Sequence, residues 1–163
     1  MGLLTGCKAH QPAAGSTDIP AATAAKPTAE PAMPAGRLNE VAYSYQGMQM
    51  NTIDQPRLKR TGDGKAMLTF SFYHDECSCE VSDTLLDKAR DIIEAEKMYQ
   101  YDASYSLMAD ERILDGYSWS FSAVFEGGAR LSSHGRNASP KGSGLHRMEQ
   151  LLLNAAMECL PKE

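Results

Sequence analysis

The chain has 163 residues, with 16 Lys and Arg against 21 Asp and Glu, for a net charge of −5. An acidic chain without a basic block is a poor partner for nucleic acid and offers no polybasic patch to anionic lipid. No run of about 18 apolar residues is present to span a bilayer as a helix, and the sequence holds no nucleotide fingerprint, nucleophile elbow or His-Glu-x-x-His helix.

In chain order, the first informative element is Leu4-Thr5-Gly6-Cys7. Small residues at Thr5 and Gly6 let a peptidase reach the bond before Cys7, and a thiol there can carry a thioether-linked glyceride. The four residues resemble the lipobox of bacterial lipoproteins. That resemblance implies lipidation of Cys7, anchoring to a membrane through the lipid, and a place in the bacterial cell envelope. Lys8 is not the aspartate that retains some lipoproteins at the inner membrane, so the resemblance implies an outer-membrane or surface location in a Gram-negative host. Residues 1–7 then read as the remnant of a signal peptide. Only Met1 to Leu4 precede the motif, without the basic and apolar regions of an export signal. A start truncated or mis-called relative to a longer precursor accounts for this, as does an added leader or a chance match. Gly2 fits N-myristoylation, but Gly6 stands where that signal wants Ser or Thr.

Residues 8–37 are dominated by Ala, Pro, Thr and Gly, with Ile19 and Met33 as the large apolar exceptions. Such a segment cannot bury enough surface to offset its ordering entropy. It is expected to be a disordered tether spanning about 30 Å as a coil. Residues 38–163 are one domain's worth of chain.

Within that domain, Val41 to Met50 reads as a strand interrupted at Gly47, and Lys65 to His74 alternates as a half-buried strand. Ser82 is the expected N-cap of a helix running to about Met98, with Val81 and Leu86 as a hydrophobic staple. Tyr117 to Phe125 alternates strictly, placing Trp119, Phe121 and Phe125 on one face. The glycines at 127 and 128 turn the chain into a partner strand from Ala129 to His134. Leu145, Met148, Leu151, Leu152, Ala155 and Cys159 make the apolar stripe of a last helix. The expected fold is α+β, an antiparallel sheet of about four strands with two helices on one face in ββαββα order. Ser118, Ser120, Ser122, Ser132 and Ser133 are expected to make a solvated serine face.

Two clusters carry candidate chemistry. His74, Cys77 and Cys79 are the densest set of metal-ligand types, suited to zinc or copper, on what reads as a polar loop between strand and helix. A second Cys pair to close a zinc site is missing. With Cys7 lipidated, three cysteines remain, and either Cys77 or Cys79 could bridge to Cys159. His134, Arg136, Asn137 and Lys141 form a donor-rich loop leading to a helix N-terminus, suited to a small anionic ligand. No cofactor is implied.

The stretches Asp115 to Phe121 and Ser132 to Pro140 also resemble a pattern in uncharacterised bacterial proteins, a resemblance that carries no activity. The sequence therefore points to a lipid-anchored extracytoplasmic module that binds an envelope protein or a small anionic ligand and performs no catalysis. The alternative is a metal-binding or thiol-dependent protein using His74, Cys77 and Cys79.

Overall fold

A computed structural model describes residues 29–47, 51–107 and 116–161. Four strands come first: β1 (Leu38–Gln46), β2 (Ile53–Gly62), β3 (Lys65–Phe72) and β4 (Asp75–Ser82). Helix α1 (Thr84–Ala95) follows, then β5 (Ser104–Ser106), β6 (Ser118–Phe125), β7 (Arg130–Arg136) and helix α2 (Gly144–Cys159). The strands join in one sheet of order β4-β3-β2-β1-β6-β7-β5. All pairings are antiparallel except that of β5 with β7. Among the described residues the fold is α+β with two α-helices. There the expected count of four strands and the ββαββα order are corrected to seven strands in the order ββββαβββα.

Each added strand has its own physical cause. Pro56 interrupts β2, but it sits where the register to β3 shifts between Asp54 and Arg57, so its missing N–H interrupts the ladder at a bulge. Residues 75–80, expected as a loop, form β4 together with Val81 and Ser82, expected at the start of the helix. Cys77, Cys79 and Val81 alternate there as the half-buried positions against exposed Glu76, Ser78, Glu80 and Ser82. β5 is three residues held at the sheet edge by the ladder to β7.

One face of the sheet is apolar. Val41, Tyr43, Leu58, Leu68, Phe70, Trp119, Phe121 and Phe125 are buried on it. The helices pack against each other and against β1 and β2, burying Leu86, Ala89 and Ile93 from α1 and Met148, Leu152 and Ala156 from α2. Burial of a side chain such as Leu152 contributes about 1.5–3 kcal/mol.

The N-cap of helix α1 lies one residue later than expected. It is Asp83, which makes no side-chain cap bond. The Asp83 carboxylate is drawn to Arg60 and Arg37 instead, with Arg37 Nη2 at 3.2 Å. Ser82 Oγ still accepts the Thr84 amide at 3.3 Å. Arg60 also donates to the Leu38 carbonyl at 3.1 Å, so β1, β2 and the start of α1 are tied at one buried charge cluster.

The end of the expected tether lies against the domain. Met33 packs on the core, and the Gly36 carbonyl accepts Arg90 Nε at 3.1 Å. The described domain thus extends N-terminal of Leu38. Cys7 and the rest of residues 1–28 lie outside the described residues.

Candidate functional site

The structure distributes the sequence-predicted residues differently from the reading that grouped them. Tyr73 and His74 form the tight β3–β4 turn, both with positive φ (46° and 75°). Cys79 is bonded to Cys159 at the end of α2, with Cα atoms 6.1 Å apart and a sequence separation of 80. Cys77 is a half-buried free thiol on the same strand. A bridged Cys79 has no thiolate to give a metal, which leaves His74 and Cys77 of the expected trio. Among the described residues, no group of three or more His, Cys, Asp or Glu is placed to hold a metal ion.

The expected anion loop also divides. His134 and Arg136 lie inside β7, pairing with Ser120 and Ser118 of β6, and both are exposed. Asn137 turns the other way. It adopts a left-handed φ of 53°, and its Oδ1 accepts the Tyr117 amide at 2.8 Å. Its task is to close the strand end, and Lys141 stands exposed in the loop beyond. The expected serine face holds for Ser118, Ser120, Ser122 and Ser132. Ser133 is a correction: it is buried and donates to the Asp102 carbonyl at 2.6 Å. The β7 side chains alternate, so adjacent Ser132 and Ser133 cannot share a face.

A further arrangement lies where α2 passes the ends of β1 and β2. Two adjoining lobes of about 210 and 360 Å³ share Tyr43, Tyr45 and Glu149. The first lobe is closed by Ile53, Asp54, Pro56, Leu153 and Met157. The second is closed by Trp119, Pro140, Leu145 and His146. Local structure builds this cleft. Tyr43 and Tyr45 are two residues apart on β1 and face the helices together. Glu149, Leu153 and Met157 follow at four-residue steps along the flank of α2.

The aromatic wall is held rigidly. Tyr45 stacks on Tyr117 with ring centroids 5.8 Å apart. Trp119 Nε1 donates to the Ala138 carbonyl at 2.7 Å. This indole position requires glycine at 135, because a Cβ there would lie 2.3 Å from Trp119 Nε1.

Two titratable groups stand out in the cleft. Tyr43 is only 6% exposed, lines both lobes, and its hydroxyl makes no hydrogen bond to the described residues. Burial pushes that hydroxyl's pKa up, and the neighbouring Glu149 charge adds to the rise. Glu149 is half-buried. Its carboxyl pKa is raised by desolvation, opposed in part by His146, whose Nδ1 lies 3.9 Å away. A titratable group shifted by burial in a cleft beside apolar walls is a common mark of a binding site. Sequence reading missed Glu149 because it treated α2 only as a stripe of apolar residues. The available signal was a carboxylate on the flank of that stripe, one turn after Leu145.

Comparison with protein-family models, curated proteins and solved structures finds no match for this chain.

Proposed function

We propose that this protein is an exported binding module, anchored to the bacterial envelope by a lipid on Cys7, that takes a small ligand in the cleft between β1, β2 and α2. The observation that carries the binding site is the convergence of Tyr43 and Glu149 on one cleft, both without a hydrogen-bond partner among the described residues. Both groups stand beside apolar side chains, where a hydrogen bond to a ligand is stronger than in water. The Cys79–Cys159 bridge supports the extracytoplasmic location, since such bonds persist in oxidising compartments and are rare in the cytosol. Among the described residues no helix is long and apolar enough to cross a membrane, so anchoring falls to the lipid in this reading.

The exposed row of His134 and Arg136 remains on the open sheet face as a shallower surface. The cleft is preferred because it has walls, an aromatic floor and unpaired polar groups.

A small-fragment library screened by NMR against the full chain tests the site. The expected result is that hits shift the rings of Tyr43, Tyr45 and Trp119 together. Hits that cluster on β7 around His134 and Arg136 would move the binding site to the open face.

A further inference from the structure

The chemistry of the cleft narrows the ligand class, and this step rests on the reading of the cleft as the binding site. Two carboxylates, Glu149 and Asp54, line the lobes, and no Lys or Arg does. His146 is the nearest group of basic type, and its Nδ1 stands 3.9 Å from Glu149, beyond hydrogen-bond reach. Tyr43, 6% exposed, lines the same lobes, and its hydroxyl makes no hydrogen bond to the described residues. An anion would meet repulsion from both carboxylates. A neutral ligand would leave the Glu149 charge uncompensated in a partly desolvated place. A cation meets attraction from both, strengthened by low-dielectric walls, and the tyrosine π-faces add to it.

The shape of the cleft points the same way. The first lobe, about 210 Å³, is the smaller of the two and suits a short ligand body. Its lining includes the apolar Ile53, Leu153 and Met157, the last 63% exposed, beside Glu149 and Tyr43. A carboxylate and a hydroxyl oxygen beside apolar side chains match a ligand with a charged donor head and a short hydrocarbon body.

We propose that this cleft binds a small primary alkylammonium ion, its head donating to the Glu149 carboxylate and the Tyr43 hydroxyl oxygen and its chain lying on Ile53, Leu153 and Met157. A primary head supplies three donors for the two unpaired acceptors. A quaternary head supplies none and would be held by charge and π-face alone.

The test titrates n-butylammonium chloride into the full chain and follows the tyrosine rings and the Ile53, Leu153 and Met157 methyl groups by NMR. Tetramethylammonium and 1-butanol are run beside it, the second as a neutral isostere. Butylammonium is expected to bind more tightly than either. Glu149→Gln is expected to weaken it about tenfold or more, since hydrogen bonds to charged groups contribute about 1.5–3 kcal/mol. Tyr43→Phe keeps the ring and is expected to weaken binding about two- to tenfold. Unchanged methyl spectra of the free variants show that each has folded. Equal binding of 1-butanol and butylammonium overturns the cation class while leaving the cleft as a binding site. Butylammonium binding that is absent, or unchanged in Glu149→Gln, overturns the proposal outright. In that case the fragment screen decides separately whether the cleft binds anything.

Discussion

Removing the Cys79–Cys159 bridge is expected to cost a large part of the domain's stability. The bond joins the edge strand β4 to the last turn of α2 across 80 residues of sequence. Closing a loop of that length removes about 15 cal/mol/K from the unfolded chain, or about 4.5 kcal/mol at 25 °C. Whole domains are stable by only about 5–15 kcal/mol, so the loss takes the protein close to its unfolding threshold. The variant is Cys79→Ala/Cys159→Ala, which avoids introducing new free thiols. Urea unfolding followed by the fluorescence of the single tryptophan, buried Trp119, gives the stability directly. Cys77→Ala is the control, because Cys77 closes no loop. A loss under about 1 kcal/mol in the double variant, or an equal loss in Cys77→Ala, would refute the loop-closure argument.

Asp83→Ala leaves the buried Arg60 guanidinium without its main partner and is expected to destabilise by about 3–5 kcal/mol, read from the same urea curves. Glu96 accepts from Arg147 at 2.7 Å and from the Ser143 amide at 3.3 Å, and these bonds hold its carboxyl below the ordinary carboxylate range. A depressed folded pKa stabilises above the unfolded value and is lost as pH falls through the folded one. Glu96→Gln is therefore expected to lower the thermal midpoint at neutral pH, with the gap to the parent closing in acid. Under the lipoprotein proposal, labelled palmitate is expected to enter the protein when it is expressed with an export signal in bacteria, and Cys7→Ser to abolish the label. Label retained in Cys7→Ser would end the lipoprotein reading.

The parts of the fold written in strong periodicity were legible. The alternation of Trp119, Phe121, Ala123 and Phe125 gave β6 its buried face, and the stripe from Leu145 to Cys159 gave α2 its own. Strands whose inward positions are small or polar were not legible. Cys77, Cys79 and Val81 alternate as cleanly as the β6 residues, but acidic neighbours and the lure of metal-ligand spacing obscured them. β2 was hidden by Pro56, whose place at a bulge depends on the register with β3 and cannot be read locally. The loop of His134 to Lys141 read as one donor cluster because residues adjacent in sequence were taken together. The end of β7 divides them: Arg136 faces solvent while Asn137 closes the turn onto Tyr117. The cleft was least legible of all. Tyr43, Ile53 and Glu149 come from three elements, and only the packing of α2 beside β1 and β2 brings them together.

The central claim is that the cleft holds a partly desolvated carboxylate awaiting a cation, and the side-chain titration of Glu149 by carbon-13 NMR tests it most directly. The free protein is expected to show a Glu149 pKa raised above the ordinary carboxylate value. Saturating butylammonium is expected to bring that pKa down, because a cation beside the carboxylate favours its charged form. A Glu149 that titrates at the ordinary value and does not move when butylammonium is added would contradict the account.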